Sequence, residues 1–167
     1  MLLDLTQHNA AKTTIDNCKP GDTVVVSGMI HNVRITKWGG FIILRKSRGL
    51  LQAVVQNETS RFYDESGEEI ALNGLCREMA VSIEGTVNEA KIKDPAAFYN
   101  TIEIAVSCVR VLSRPTTSEV VDINALKFGD EETMLRFKFD NRQVTLRNPR
   151  DMAILKVQST IAKALAH

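Results

Sequence analysis

Through the first two thirds of the chain, short runs of β-branched and apolar residues alternate with clusters of turn-forming residues, a pattern of half-buried strands rather than of amphipathic helices. Five strands are predicted, over residues 23–34, 40–45, 50–56, 78–87 and 101–112. Pro20-Gly21-Asp22 opens the first, Trp38-Gly39-Gly40 turns into the second, Ser47-Arg48-Gly49 makes a tight hairpin into the third, and Asp94-Pro95 interrupts the last connection. Between the third and fourth strands, residues 66–76 carry Ile70, Leu72 and Leu75 and predict a short helix. Residues 6–18 predict a short helix or turn leading into Pro20. Near the other end, Asn148-Pro149-Arg150-Asp151 supplies a cap, a proline at the first helical position and an early acidic residue. Ile154, Leu155, Ile161, Ala162 and Leu165 then recur at helical spacing. The intervening stretch begins as a linker at Ser113-Arg114-Pro115-Thr116-Thr117-Ser118 and is mixed up to Leu146, with strand-like alternation at residues 135–139.

Three strands, a helix and two further strands is the order of the OB-fold, a mainly β, five-stranded Greek-key barrel. The second and third strands of such a barrel, with the neighbouring loops, bind single-stranded nucleic acid or sugars. The chain accordingly divides into an N-terminal extension (1–20), the barrel (21–113), a hinge or linker (114–147) and a helix (148–167). The apolar stripe of that helix has no following element to cover it, which predicts that the chain is the front part of a longer protein. A helix folded back on its own barrel is the alternative.

Composition narrows the function classes. Of 167 residues, 44% are apolar and 25% charged, with 21 basic against 20 acidic side chains, as in an ordinary soluble globular chain. No apolar run approaches the ~18 residues that span a bilayer, and the opening residues lack the layout of a secretory signal, so a membrane location is not expected. Cys18, Cys76 and Cys108 are odd in number and far apart, which suggests neither a disulfide framework nor a zinc site and fits a reducing, cytoplasmic compartment. A net charge of +1 argues against strong indiscriminate nucleic-acid binding. The charge is segregated, however. Residues 23–57 contain no acidic residue but Arg34, Lys37, Arg45, Lys46 and Arg48, whereas Glu58, Asp64, Glu65, Glu68 and Glu69 follow with Arg61 as the lone base.

On the predicted second strand, Phe41 shares a face with Ile43 and Arg45, and an aromatic ring beside arginines is the stacking-plus-phosphate arrangement of single-strand binders. A core phenylalanine would look the same. Trp38, in the loop before Gly39-Gly40, either stacks as well or caps the barrel end. Gln52 and Glu103 are polar positions within apolar strands, suited to reading base edges or to facing solvent. Arg34, Arg45, Lys46 and Arg48 are phosphate or base-edge partners, or simply a solvated surface.

Taken together, Gly28-Met29-Ile30-His31-Asn32-Val33-Arg34, Phe41-Ile42-Ile43-Leu44-Arg45 and Gly49-Leu50-Leu51-Gln52 resemble the anticodon-binding domain of the aspartyl, asparaginyl and lysyl class II aminoacyl-tRNA synthetases. Val81-Ser82-Ile83-Glu84-Gly85-Thr86-Val87 is similar to the fourth strand of that domain and Ile102-Glu103-Ile104 to the fifth. Asp140-Asn141-Arg142 and Leu146-Arg147-Asn148-Pro149 resemble the hinge and the opening helix of the catalytic domain, in the pattern of the archaeal-type aspartyl enzymes. The resemblance implies that Phe41 stacks on an anticodon base, that Gln52 reads the middle uridine, that Glu103 contributes to that reading and that Arg34 lies beside the same bases. It also implies that His31 falls where the residue type tracks acceptance of both aspartate and asparagine tRNAs, histidine resembling the relaxed kind. Met29 replaces the family's usual tryptophan, Arg45-Lys46 replaces Arg-Asp, and Ile35-Thr36-Lys37-Trp38 replaces the common Asp-Leu-Gly loop.

No phosphate-cradling glycine loop, Gly-x-Ser-x-Gly elbow or His-Glu-x-x-His helix occurs, and no catalytic or metal-ligating residue is expected in this chain. The resemblance implies instead a full-length parent that joins aspartate to tRNA with ATP and magnesium as a homodimer, this chain supplying tRNA anticodon recognition. Two other readings stay open from the residues: a stand-alone single-strand binder without base preference, and a protein-interaction module acting through the terminal helix.

Overall fold

Alternate residues of every long strand turn toward one interior. Val24, Val26 and Ile30 are followed by Ile42 and Leu44, then Leu51, Ala53 and Val55, then Val81, Ile83 and Val87, and finally Ile104, Val109 and Val111, all buried. Most of the intervening positions of these strands are half-buried or exposed, with Glu103 a buried exception, the period-two signature of a sheet with one wet face. The structure is a computed structural model that describes residues 15–46, 49–90, 99–116 and 130–166. Most of the turn predicted over 6–18, the hairpin tip at Ser47-Arg48, Asp94-Pro95 and the middle of the predicted hinge lie outside the described residues. The chain divides into two compact units, Met1–Ser118 and Glu119–His167.

The first unit holds six strands: β1 (Thr23–Thr36), β2 (Gly39–Arg45), β3 (Leu50–Gln56), β4 (Arg61–Tyr63), β5 (Ala80–Glu89) and β6 (Ile102–Ser113). They run in the order β3-β2-β1-β5-β6-β4, and a further β3–β6 pairing closes five of them into a barrel. That closing pair is parallel and short, joining Gln52, Ala53 and Val54 to Glu103, Ile104 and Ala105. The architecture is the five-stranded OB-fold barrel expected from the sequence.

Three details differ from the sequence reading. β1 runs on to Thr36, which pairs with Gly39, so the β1–β2 connection is a two-residue hairpin tip of Lys37 and Trp38. The strand β4 is additional; it is only three residues long and pairs parallel with the second half of β6, beyond the reach of any periodicity argument. The helix expected over 66–76 shrinks to one 3-10 turn, Leu72–Gly74. Asp64 explains the loss: its Oδ1 accepts from Ser66 N at 2.9 Å, Ser66 Oγ at 2.7 Å and Glu68 N at 2.9 Å. This Asx-type turn sends the chain back along β4, where Ile70 N donates to Phe62 O at 2.9 Å, instead of into a helix.

The second unit contains α1 (Glu131–Asp140), α2 (Arg142–Thr145) and α3 (Pro149–Leu165). Here the strand-like alternation at 135–139 is corrected to helix. Asp130 is the cause: in extended conformation, it accepts from Thr133 N, and Glu131 and Glu132 fill the first turn, so capping and dipole terms outweigh a short period-two run. Hydrogen bonds from the Thr133 amide and hydroxyl hold the Asp130 carboxyl below the ordinary carboxylate range. A depressed carboxylate pKa contributes helix stability that is complete above its unfolded value and is lost as pH falls through the folded one. The Thr133 amide proton shift should therefore titrate below pH 3.8; a midpoint at or above that value would contradict the cap. α3 begins as read, with Asn148 Oδ1 accepting from Arg150 N at 2.9 Å. Lys138 Nζ pairs with Asp151 Oδ1 at 2.9 Å, tying α1 to the first turn of α3.

Candidate nucleic-acid interface

The strand registers lay the outward side chains of four strands in rows. Arg34 of β1 is opposite Phe41 of β2, which is opposite Val54 of β3, which is opposite Ala105 of β6. One step along, Asn32, Ile43, Gln52 and Glu103 form the neighbouring row. Because paired residues project to the same side of a sheet, four positions scattered over about 70 residues of sequence, Arg34, Phe41, Gln52 and Glu103, meet on one face. Phe41 is not a core residue. Its neighbours Ile42 and Leu44 fill the interior, while Phe41 and Ile43 lie half-buried on the outer side.

Gln52 Nε2 donates to Glu103 Oε2 at 3.1 Å, bridging the seam where the barrel closes. Glu103 is only 6% exposed, and its carboxylate orients the more accessible Gln52 amide. With one N–H engaged, Gln52 retains its second N–H and its carbonyl, a donor beside an acceptor. That pair complements the N3–H and O4 edge of an unpaired uracil.

Trp38 stands at the hairpin tip, 51% exposed, with its ring 5.3 Å from that of Phe41 and the planes at 89°. The tip is built tightly. A Cβ on Gly40 would sit 2.2 Å from Arg34 O, a separation no side chain tolerates, so the close approach of β1 and β2 requires glycine there. Asn57 secures the tip from the end of β3, its N–H donating to Trp38 O at 3.1 Å and its Nδ2 to Lys37 O at 3.3 Å.

Of the remaining candidates, Arg45 and Lys46 are engaged elsewhere. Arg45 projects from β2, but its Nη1 and Nη2 bind the two Glu78 carboxylate oxygens at 2.8 and 2.7 Å, and the pair is 17% and 12% exposed. This guanidinium fork already holds a carboxylate, a geometry that fits a structural tie. Lys46 Nζ donates to Ser27 O at 2.7 Å, away from the Phe41 row. His31 is half-buried at the register shift between Ile30 and Asn32, and Arg48 lies outside the described residues. Two side chains on this face went unnoticed in the sequence. Asn32 shares the Gln52 row and its Oδ1 accepts from Arg77 Nε at 3.3 Å and Nη2 at 3.1 Å. Nothing local signals that Arg77, after the 3-10 turn, folds back against β1. Arg34 and Lys37 are exposed and have no ion-pair partner among the described residues.

Among the described residues, no group of three or more His, Cys, Asp or Glu side chains is placed to hold a metal ion, and no helix is long and apolar enough to cross a membrane.

Comparison with known proteins adds identity to this geometry. No protein-family model matches the chain. An aspartate–tRNA(Asp/Asn) ligase of Natronomonas pharaonis is 29% identical over 156 residues, covering 92% of this chain and 33% of the ligase. A ligase of the same description from Methanococcus maripaludis is 31% identical over 145 residues, covering 87% of this chain and 30% of its own length. The solved asparaginyl-tRNA synthetase of Entamoeba histolytica, in complex with asparaginyl-adenylate, superposes with a TM-score of 0.67 at 20% identity, over 93% of this chain and 34% of that one. The chain thus spans about a third of the length of the relatives it matches. By sequence, the chain is homologous to about a third of the length of aspartate–tRNA(Asp/Asn) ligases, over the barrel and the helices that follow it, and the solved asparaginyl-tRNA synthetase shares its fold.

Proposed function

We propose that the outer face of β1, β2 and β3 binds the anticodon loop of an aspartate- or asparagine-type tRNA. Phe41 stacks on one anticodon base, Gln52, oriented by Glu103, reads the middle uridine, and Arg34 and Lys37 neutralise phosphates. His31 borders the reading of the remaining base. Base contacts specify while phosphate contacts position. The observation that carries this reading is the convergence of Arg34, Phe41, Gln52 and Glu103 on one surface of a homologue of tRNA ligases. In the parent protein the other two thirds would carry aspartylation, with ATP and magnesium, and the contacts of a homodimer. This chain performs recognition and no bond-making step.

Fluorescence anisotropy with stem-loops bearing GUC, GUU and UUU, at one fixed moderate salt, tests the proposal. Tighter binding to GUC, alone or with GUU, is expected over UUU. Phe41→Ala should lose about 1–3 kcal/mol of that affinity, the range for one stacked base. Equal weak binding to all three, indifferent to the substitution, would leave a sequence-blind single-strand binder in its place.

A further inference from the structure

We infer that Trp38 is a second base platform, forming with Phe41 a right-angled corner that receives two adjacent unpaired bases of the bound RNA loop, one on each ring. The inference rests on the reading that the Phe41 face binds RNA and goes beyond it by placing a second stacking residue on the β1–β2 hairpin.

Three observations point the same way. The indole is half exposed although the barrel interior is filled without it, and an exposed ring adds little to folding. It is not loosely placed either: the glycine behind it has φ +148° and would bring a Cβ within 2.1 Å of Val55 O, while Asn57 pins the carbonyls of both tip residues. The protein therefore presents an apolar ring on a fixed mount, the condition under which stacking loses least ordering entropy. Second, the contact with Phe41 is edge-on, 5.3 Å between centroids at 89°. An edge-on pair leaves ring faces open, and two faces at a right angle suit consecutive bases splayed at a sharp bend of the loop backbone rather than a continuous stack. Third, the exposed side chains of Arg34 and Lys37 flank the corner in sequence and register; a phosphate joining two splayed bases would lie within reach of such cations.

The chain contains a single tryptophan beside two tyrosines, so emission under tryptophan-selective excitation reports Trp38 alone. Titration with the GUC stem-loop should change that emission saturably, with the midpoint given by anisotropy of the labelled RNA. Trp38→Ala should weaken binding about tenfold, and Trp38→Phe, which keeps a stacking ring, should recover most of the loss. Loop RNAs made abasic one position at a time should show two adjacent sensitive positions with the unaltered chain and one fewer with Trp38→Ala. Unchanged emission at saturating RNA, together with unaltered affinity of Trp38→Ala, would overturn the corner; if Phe41→Ala still lost affinity, the reading of the Phe41 face would stand without it. Failure of the unaltered chain to bind any of the stem-loops would overturn both. Should Trp38→Ala fail to fold, the emission change and the number of adjacent abasic-sensitive positions with the unaltered chain still decide.

Discussion

Replacing Gly40 with alanine is expected to cost about 3 kcal/mol of stability, at the upper end of overpacking penalties. The added methyl would lie 2.2 Å from Arg34 O, 3.2 Å from Arg34 C and 3.3 Å from Ile35 Cα. All three are backbone atoms of the strand that β2 pairs with, so no side-chain rotation relieves the clash and the hairpin must open. Opening it pulls Ile42 and Leu44, both fully buried, out of register with β1, and burial of those side chains is a main source of barrel stability. Urea unfolding of the two chains measures the difference as a change in midpoint at constant slope. Gly74→Ala is the matched control: a Cβ there meets only side-chain atoms of Ile70, at 3.6 Å and beyond, and should shift stability by less than about 0.5 kcal/mol. Equal stability of the Gly40 and Gly74 variants would refute the tight-approach account. The same hairpin carries Trp38 and Phe41, so the Gly40 variant should also bind the GUC stem-loop more weakly than Phe41→Ala alone does.

The barrel was legible because its five long strands each keep a period-two pattern and are punctuated by glycine, proline and aspartate. Where pattern is too short or local polar chemistry intervenes, legibility ends. β4 offers three residues, and the Asx turn at Asp64 converts a helix-compatible run into a reversal. In the second unit, the Asp130 cap decided helix over strand at Leu135–Phe139, a competition that depends on one hydrogen-bonded side chain rather than on periodicity. For the site, residue type nominated Phe41, Gln52, Glu103 and Arg34. Their convergence depends on register across β1, β2, β3 and β6, with a bulge between Ile30 and Asn32 shifting β1 against β2; a one-residue slip of β1 would send Arg34 to the opposite face from Phe41. The engagement of Arg45 by Glu78 had no sequence signal, since the two residues are 33 apart.

That pair supplies the second large effect: Glu78→Ala should destabilise the barrel by about 2–3 kcal/mol, somewhat less than the loss on breaking a fully buried ion pair. Arg45 and Glu78 are joined by two hydrogen bonds and mostly shielded from water, so removing the carboxylate leaves a largely desolvated guanidinium without its partner. Glu78 also has φ +65°, alone among the described non-glycine residues, a left-handed conformation that costs a β-carbon-bearing residue about 1 kcal/mol. The site tolerates it because Arg45 grips the side chain and Glu78 N donates to Ile30 O at 2.8 Å, beside the β1 bulge. Glu78→Gly loses the same ion pair but relieves the backbone, and should therefore be less destabilised than Glu78→Ala. The reverse order would show that the left-handed conformation is not under strain. A double-mutant cycle with Arg45→Ala isolates the pair itself. The cycle also separates a tie from a phosphate contact. If Arg45 serves Glu78, Arg45→Ala lowers stability yet leaves the salt dependence of stem-loop binding unchanged, whereas a phosphate-binding arginine would flatten that slope by about one unit. Glu78→Ala then becomes the informative opposite, since it frees the guanidinium at the far end of the Phe41 strand and should steepen the slope while weakening the fold.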